Sequence, residues 1–406
     1  MKRRVAITGI GIVSSIGSNA DEVLASLRDG SSGVSFCQEF ADLGFRCQVA
    51  ARPKINVEEA LSRKERRFLG EGAAWNLIAM REAIDDARLG PDEVSHSMTG
   101  IIMGSGGPST QTIVEAADKT RETGGTKKIG PTQVPKAMSS TNSATLAVPF
   151  KILGVNYSIS SACATSVHCI GAAAEQIEWG KQDIMFAGGG EDLHWTLSNM
   201  FDAMGAMTTH FNETPNVASR AYDKDRDGFV IAGGAGVVVL EEMERAQARG
   251  ATIYGEIIGY SANSDGYDMV QPSGEGAVRC MRDALETVRT PIDYINTHGT
   301  STPIGDTRET AAIKEVFAGE IPPFGSTKSL TGHSLGAAGA QETIYSLLMM
   351  KERFIAASAH IDTLDPEFEG LPIVRNRIDD AKIDCFLTNS FGFGGTNGCL
   401  VVSRAD

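Results

Sequence analysis

Short apolar runs alternate with longer amphipathic stretches along the whole chain. Runs such as RVAITGIG, DIMFAGGG and AGVVVLEEM predict buried strands. Five longer stretches have helical periodicity, at 72–88, 164–179, 276–288, 306–317 and 334–351. The remaining apolar runs predict further strands: GIIMGSG, NYSIS, DYINTHG, CFLTNSF and NGCLVVS. Because strands and helices alternate from end to end, we predict an α/β fold in which helices cover the sheets.

One structural plan occurs twice in this pattern. In the first half, a strand leads through a serine-rich turn to Cys163 and then to an Ala/Gly-rich helix. In the second half, a strand leads through a turn to His333 and then to another helix. We predict two pseudo-duplicated halves, residues 1–250 with the cysteine and residues 251–406 with two candidate histidines, and an active site between them.

Composition and charge narrow the class of protein. The 406 residues carry a formal net charge of −14, which argues against nucleic-acid binding, because that function needs a basic surface. The start MKRRVAITGIG becomes polar and glycine-rich too early for a signal peptide, and the sequence has no apolar run of about 18 residues. The seven cysteines form no CxxC pair, so we expect reduced thiols. These features predict a soluble cytoplasmic enzyme that does not span a membrane.

Cys163 is the candidate nucleophile. It follows a β-type run in SISSACATSVHC and stands at the start of a predicted helix. A helix N-terminus lowers a thiol pKa through its partial positive charge and free N–H groups, so we expect a thiolate that needs no paired base. His168, five residues further on, points to a different side of the helix. Partners of the sulfur must therefore come from elsewhere in the chain, unless Cys163 is a buried structural cysteine.

Two histidines follow predicted strands in the second half. His298 lies in YINTHGTSTPIGD and His333 in STKSLTGHSLGAAGA, each where a strand ends, which is where α/β active sites gather. Neutral imidazole N–H groups can stabilise a developing enolate or thioester oxygen. Lys328 and Glu309 are predicted to form a buried pair that orients the imidazoles. The late loop TNSFGFGGTNG can bring a second backbone N–H to an oxyanion, beside that of Cys163.

Two further motifs are rejected as ligand sites. The stretch from Asp223 to Gly228 resembles the first half of a calcium loop, but its twelfth position is Gly234 where a bidentate Glu is required. GIGIVS at 9–14 resembles a dinucleotide fingerprint, but Ser14 replaces its third glycine. We therefore expect neither a bound metal nor a nucleotide cofactor.

Four long motifs together resemble a known family. SSACATS, NTHGTSTPIGD, TKSLTGHSLGAAGA and NSFGFGGTN are similar, in this order, to the motifs of β-ketoacyl-acyl carrier protein synthases of the thiolase superfamily. The resemblance runs from ITGIGIVSSIG to the last strand. The segments VNYSISSACATS, KQDIMFAGGGE, GFVIAGGAG and IYSLLMM are most similar to the proteobacterial type I branch of the family. Elongating enzymes of type II usually carry Gly-Glu-Gly-Ala where this chain has Ala232-Gly233-Gly234-Ala235.

The resemblance implies a fold and a reaction. The fold is a five-layered αβαβα thiolase fold, and the enzyme is a homodimer. Cys163 accepts an acyl chain from acyl carrier protein as a thioester, and malonyl-acyl carrier protein then loses CO2. The resulting carbanion attacks the acyl-cysteine and gives a β-ketoacyl product two carbons longer. No free cofactor takes part, because the carrier protein supplies the phosphopantetheine arm.

The resemblance also implies roles for individual residues. His298 and His333 hold the malonyl thioester oxygen, while Lys328 supports His333 and the decarboxylation, with Glu309 as its ion partner. The backbone N–H groups of Cys163 and Phe393 form the acyl oxyanion hole, and the Phe393 ring gates the acyl pocket. The remaining assignments are the phosphopantetheine-binding Thr300 and Thr302, the tunnel residues Met138 and Phe201, and Pro108 where the pocket meets the dimer contact.

Two basic clusters in the sequence can serve to bind the carrier protein. Acyl carrier protein is strongly acidic, and so is this chain, so the two would repel each other unless positive charge is concentrated locally. Glu65 interrupts the first of two basic clusters. The residues at the position of the family's carrier-docking patch are Arg63, Lys64, Arg67, Lys127 and Lys128.

Other functions remain open from sequence alone. A type II elongating synthase and a polyketide ketosynthase carry similar motifs. A biosynthetic thiolase usually needs a second cysteine near the C-terminus and an Asn in place of one His, whereas Cys399 here follows GFGGTNG in a predicted strand. A non-catalytic chain-length partner of a polyketide synthase lacks the nucleophile, which this chain has at Cys163.

Overall fold

A computed structural model of the chain describes residues 2–107 and 109–405. Its strands are β1 (Val5–Val13), β2 (Ser35–Phe36), β3 (Val49–Ala50), β4 (Thr99–Gly104), β5 (Asn156–Tyr157), β6 (Ile184–Glu191), β7 (Gly234–Glu242), β8 (Gly255–Ser264), β9 (Tyr294–Asn296), β10 (Phe324–Gly325), β11 (Phe354–Ile355), β12 (Ile378–Asp379), β13 (Cys385–Gly392) and β14 (Thr396–Ser403).

The α-helices are α1 (Ala20–Asp29), α2 (Gln38–Asp42), α3 (Val57–Ala60), α4 (Arg63–Arg66), α5 (Glu71–Ala87), α6 (Pro91–Val94), α7 (Thr110–Thr123), α8 (Gln133–Ala137), α9 (Thr141–Phe150), α10 (Thr165–Glu178), α11 (Trp195–Ala203), α12 (Met243–Ala248), α13 (Glu275–Leu285), α14 (Pro303–Val316), α15 (Lys328–Thr331) and α16 (Ala338–Glu352). Short 3-10 helices occupy Pro215–Val217, Leu335–Ala337 and Pro366–Phe368.

Most of the strands join into one mixed sheet. Within the described residues, its order is β10-β9-β13-β14-β8-β1-β7-β6-β4-β5. The five strands from the first 250 residues occupy one side, and the five from the later residues occupy the other. The two sides meet where β1 pairs antiparallel with β8, from Val5 opposite Ile257 to Ile7 opposite Gly255. This order mirrors itself about the β1–β8 contact, and the division at residues 250 and 251 stays a prediction.

Helices lie on both faces of the sheet and between its two sides. Helix α5 packs on β1, β7 and β6, whereas α13 packs on β8 and β14. The helices α10 and α16 contact each other; α10 packs on β4 and β6, and α16 packs on β7 and β13. On β8, Tyr260 meets α10 and the neighbouring Gly259 meets α13, as expected for side chains that alternate between faces. The layers therefore follow the αβαβα order that the resemblance implies.

The glycines of the GIGIVS stretch serve helix packing. A Cβ on Gly11 would lie 1.9 Å from the carbonyl oxygen of Ala79 in α5, and one on Gly9 would lie 2.6 Å from that of Ala83. Both glycines thus let the backbone of β1 approach α5 closely. This close approach gives the motif a structural explanation and supports our rejection of a dinucleotide fingerprint.

The structure differs from the sequence pattern in several places. Strand β8 is not among the strands that the apolar runs predict, because its sequence GEIIGYSANS is polar and partly exposed towards its end. The predicted helix 334–351 begins with a 3-10 turn, and its α-helical part starts at Ala338. In the described part of the chain, no helix is long and apolar enough to cross a bilayer.

Candidate active site

Cys163 lies in a strained turn between β5 and α10. Ala162 has a φ of +49°, in the left-handed region that is costly for a residue with a side chain. Thr165 fixes this turn, since its Oγ1 accepts a hydrogen bond from the N–H of Ser161 at 2.8 Å and donates to the carbonyl of Ala162 at 2.7 Å. Helix α10 begins at Thr165, two residues after the cysteine. The turn holds a half-buried Cys163 at the wall of a cavity.

Two backbone N–H groups reach the sulfur of Cys163. Hydrogen bonds from the N–H of Phe393 and from that of Cys163 itself favour its thiolate. Strand β13 ends at Gly392, where a Cβ would lie 3.1 Å from the nitrogen of Cys163. Positive φ angles at Gly394 and Gly395 then turn the chain away. The glycine loop therefore brings its backbone to the nucleophile, as the sequence predicts.

In the free protein, burial opposes the thiolate that the sequence predicts for Cys163. Burial raises the pKa of this thiol to about 12, and the charge of Glu191 raises it further, while the charge of Lys328 opposes both effects. The stabilisation expected from α10 is outweighed by the loss of solvent around the sulfur. Nε2 of His333 lies 3.0 Å from the Cys163 Sγ, within reach of the thiol proton.

The two histidines converge on the sulfur. Their ring centroids are 5.2 Å apart and the rings are nearly perpendicular. The nearest ligand atoms of Cys163, His298 and His333 all lie within 4.8 Å of one another. Burial, followed by the charge of Lys328, lowers the pKa of both histidines well below its ordinary value, so both imidazoles are neutral. In the described structure, Nδ1 of each ring is buried and has no hydrogen-bond partner. No bond at Nδ1 therefore fixes the tautomer, and the proton can reside on Nε2.

Lys328 does not pair with Glu309, so this prediction is corrected. Its ammonium group, 2% exposed, forms a buried ion pair with Glu342 of α16. Glu309 accepts hydrogen bonds from the N–H groups of His298 and Gly299, both at 2.8 Å. Glu309 therefore fixes the backbone that carries His298, while Glu342 holds the lysine.

Glu342 could have been found from the sequence. It stands in AGAQETIYSLLMM, a helical stretch that is otherwise almost free of charge. A lone carboxylate in a helix that is buried all round requires a cationic partner or protonation. Asn389 was also missed; its side-chain amide donates to Glu309 at 3.1 Å from the neighbouring strand β13.

The cavity around the sulfur has a volume of about 370 Å³. Phe201 and Phe393 both line it, with ring centroids 6.3 Å apart. Thr300 and Thr302 line it too, and their hydroxyl oxygens are 3.0 Å apart. Met138 is not among the described residues that line this cavity; it caps the C-terminus of α8. Pro108, expected at the dimer-facing end of the pocket, lies outside the described residues.

Glu191 ties the two halves together beside the site, and sequence reasoning missed it. This buried carboxylate, at the end of β6, accepts hydrogen bonds from Gly106 N at 2.6 Å and Ser105 Oγ at 2.9 Å. It also accepts one at 2.8 Å from Gly336 N, three residues after His333. Burial raises the pKa of Glu191 to about 7 despite these donors. The signal in the sequence is the acidic residue that directly follows the glycine run AGGG.

Glu191 should make stability depend on pH. Its pKa of about 7 in the folded chain lies above the value of about 4.3 in an unfolded chain. The folded state therefore keeps the proton up to a higher pH than the unfolded state does. The stability that Glu191 contributes is lost as pH rises from about 4 to 7. Between pH 4.5 and 7.5, the free energy of unfolding of the wild type should fall by about 3 kcal/mol relative to Glu191→Gln. Denaturant titrations at both pH values measure this difference, and the exposed Glu213→Gln is the control. An equal change in wild type and Glu191→Gln would contradict the prediction.

The calcium-like stretch has another explanation in the structure. Asp223 pairs with Arg220, and Asp227 accepts hydrogen bonds from the backbone of Thr209 and His210. Its carboxylates thus stabilise the protein's own loops, which supports our rejection of the motif as a metal site.

A basic groove lies on the surface at α4, with a volume of about 690 Å³. Glu65 does not interrupt it, because its carboxylate bonds to Ser62 and pairs with Arg81. Arg66 and Lys136 line the groove together with three of the five predicted residues. Lys127 and Lys128 are exposed, but they do not line this part of the described surface. We call this surface the basic groove; its lining residues are Arg63, Lys64, Arg66, Arg67 and Lys136.

Comparison with known proteins agrees with this geometry. The chain is 58% identical over 402 residues to "3-oxoacyl-[acyl-carrier-protein] synthase 1" of Haemophilus influenzae, a match that covers 99% of each chain. A crystal structure of a β-ketoacyl synthase from Burkholderia phymatum matches the full length of both chains with a TM-score of 0.93 and 34% identity. A type II polyketide ketosynthase, solved in complex with its acyl-carrier protein, matches with a TM-score of 0.91 and 28% identity, again over both full chains.

Two family models account for most of the chain. The model of the β-ketoacyl synthase N-terminal domain matches residues 2–246, which include the turn with Cys163. The model of the C-terminal domain matches residues 254–362, which include His298, Lys328 and His333. These matches and the fold confirm the predicted family and the thiolase-like architecture. The chain belongs to the β-ketoacyl synthase family.

Proposed function

We propose that the chain is a 3-oxoacyl-acyl carrier protein synthase of type I, which elongates fatty acyl chains by decarboxylative Claisen condensation. The observation that carries the proposal is the convergence of Cys163, His298 and His333 on one cavity. The relative in Haemophilus influenzae, at 58% identity over almost the whole chain, is named as a synthase of the same function and type. No free cofactor is part of this proposal, since the arm of the carrier protein brings the substrate.

The first half of the reaction transfers an acyl group. Nε2 of His333 takes the proton of the Cys163 thiol, and the sulfur attacks the thioester carbon of acyl-acyl carrier protein. The negative oxygen that forms accepts hydrogen bonds from the N–H groups of Cys163 and Phe393. The bond to the carrier sulfur then breaks, and the departing thiolate receives the proton from His333. The products are acyl-Cys163 and free carrier thiol.

The second half forms the carbon–carbon bond. The bond between the malonyl carboxylate and the α-carbon breaks, CO2 leaves, and the electron pair remains as an enolate. Neutral His298 donates its Nε2–H to the enolate oxygen, and neutral His333 does so after its single proton has exchanged from Nδ1 to Nε2 between the two half-reactions. The α-carbon attacks the acyl carbon, and the oxyanion again accepts hydrogen bonds from the N–H groups of Cys163 and Phe393. Cys163 then leaves as a thiolate that takes up one proton from solvent. The product is a β-ketoacyl thioester with two additional carbons.

An assay of products tests this function. The purified chain is incubated with malonyl-acyl carrier protein and a series of acyl-acyl carrier proteins, and both CO2 and the β-ketoacyl product are measured. We expect one CO2 for each product. A thiolase would instead condense two acetyl thioesters without CO2; against this, Cys399 is buried in β14 and bonded to Asn389. Condensation without release of CO2 would contradict the proposal.

The basic groove is the proposed docking site for the carrier protein. The chain has a net charge of −14, so this groove offers local attraction to an acidic partner. Arg63, Lys64 and Lys136 form no ion pair with any described residue, which leaves their charges available. We propose Lys127 and Lys128 as a second, neighbouring contact for the carrier protein.

Charge reversal in the basic groove should weaken carrier binding. We expect Lys64→Glu with Arg67→Glu to raise the dissociation constant for acyl carrier protein at least tenfold at low salt. The effect should shrink as ionic strength rises, because screening reduces the attraction. The matched control is Lys314→Glu, at an exposed position of α14 outside the groove. Surface plasmon resonance at several salt concentrations measures the change, and an unchanged affinity would exclude the groove from the interface.

A homodimer and a cytoplasmic location are also part of the proposal. Strand β5 is an edge strand, with its N–H and C=O groups open on one side, and edges of this kind pair with a second chain. Exposed apolar side chains surround it: Val148, Leu153 and Tyr157. Paired β5 strands of two copies would cover this apolar surface. The seven free cysteines agree with a reducing compartment.

A further inference from the structure

The mouth of the active-site cavity carries a single strongly basic side chain. Among the described residues that line the cavity, Arg308 is the one Lys or Arg. Its side chain is exposed and forms no hydrogen bond or ion pair with any described residue. A guanidinium at the edge of a substrate cavity, with all five donors available, is suited to bind an anion.

The acidic groups at the same mouth are already bonded within their own loops. Asp227 accepts from the backbone of Thr209, Asp265 from Ser273 and Gly276, and Asp268 from Val270 and Gln271, all at 2.7 to 2.9 Å. None of these carboxylates pairs with Arg308 in the described structure. The charge of Arg308 is therefore not neutralised by a close partner.

Helix α14 leads from the reacting groups to this mouth. It starts after the half-buried Thr302, and Glu309 in its second turn bonds to the backbone of His298. Ile304, Gly305 and Arg308 are spaced by one and three residues and share the helix face that lines the cavity. The exposed side chains of Ile304 and Met269 make the rim apolar around the charge. An apolar rim strengthens an ion pair, because it displaces water from around it.

We propose that Arg308 binds the phosphate group of the phosphopantetheine arm when the thioester lies at Cys163. This inference rests on the proposed function, which requires the arm to enter with its thioester first and its phosphate last. A phosphate accepts two parallel hydrogen bonds from a guanidinium. The arm is thereby held at both ends, by the threonines and histidines inside the cavity and by Arg308 at its mouth. The carrier protein is the natural source of this phosphate, although coenzyme A carries the same group.

A comparison of substrates tests the role of Arg308. The rate of Cys163 acylation is measured with the same acyl group on pantetheine, which lacks the phosphate, and on phosphopantetheine, coenzyme A and acyl carrier protein. We expect Arg308→Ala to lower kcat/KM about tenfold for phosphopantetheine and for acyl carrier protein, and less than twofold for pantetheine. Arg308→Lys should retain most of the activity, since one charged donor remains. Lys314→Ala, an exposed cation further along α14, should change neither rate.

The outcomes separate the inference from the proposed function. Equal losses with pantetheine and phosphopantetheine, or no loss with either, would overturn the role of Arg308 while wild-type condensation stays intact. A loss confined to acyl-coenzyme A would overturn the assignment to the carrier-protein arm. If the wild type accepts acyl groups from none of the four donors, the proposed function fails and the inference fails with it.

Discussion

Replacement of Cys163 by alanine should abolish acyl transfer while malonyl decarboxylation continues. The sulfur is the atom that bonds to the acyl group, so its loss should lower elongation by at least about 10³-fold. The groups that stabilise the enolate are untouched, because His298, His333 and Lys328 are held by contacts with other residues and not by the sulfur. The expected signature is release of CO2 from malonyl-acyl carrier protein without a β-ketoacyl product.

This experiment needs a matched thiol control and a direct readout of acylation. Cys37, half-buried at the start of α2, does not line the active-site cavity, so Cys37→Ala should elongate at the wild-type rate. Mass spectrometry after incubation with acyl-acyl carrier protein should find the acyl adduct in wild type and Cys37→Ala, but not in Cys163→Ala. An adduct or an elongated product from Cys163→Ala would remove Cys163 from the mechanism.

The parts of the site that belong to continuous motifs could be predicted from the sequence. Cys163, His298 and His333 each stand where a strand or turn meets a helix, and the motifs around them are long enough to identify the family. Their meeting in one cavity follows from the pseudo-twofold plan. The glycine loop at residues 392–395 was also predictable, because consecutive glycines indicate a close approach of backbone to another group.

Contacts between distant segments were not predictable in the same way. From the sequence we pair Lys328 with Glu309 and do not consider Glu342, which is its partner in the structure. The distinction depends on how α16 packs beside α15, which no local pattern encodes. Glu191 is a similar case, because its carboxylate accepts hydrogen bonds from Gly106 in one half of the chain and from Gly336 in the other.

The sequence alone does not determine the protonation state of the Cys163 thiol. A helix N-terminus favours a thiolate, whereas desolvation, which depends on the surrounding fold, opposes it. Nε2 of His333 lies 3.0 Å from the sulfur, so it is positioned to take the thiol proton as the sulfur attacks. Two residues that the sequence treats alike, His298 and His333, thereby acquire different roles.

Replacement of the two histidines should separate these roles. His298→Ala removes a hydrogen bond to the enolate, so decarboxylation and condensation should fall about 10²- to 10³-fold. Acylation of Cys163 should persist, because Nε2 of His333 still lies 3.0 Å from the sulfur. His333→Ala removes both the base and an enolate donor, so acylation and decarboxylation should both fall by at least about 10²-fold.

The evidence for these roles is which half-reaction each substitution slows. A loss of overall activity alone does not distinguish the two histidines. Acylation is measured by single-turnover mass spectrometry and decarboxylation by CO2 release, with the exposed His96→Ala as control. Since burial holds the pKa of both imidazoles well below its ordinary value, the rate of decarboxylation should not fall as pH drops through 6.5. Equal effects of His298→Ala and His333→Ala on acylation would contradict the assignment of His333 as the base, because the direct contact with the sulfur distinguishes the two rings.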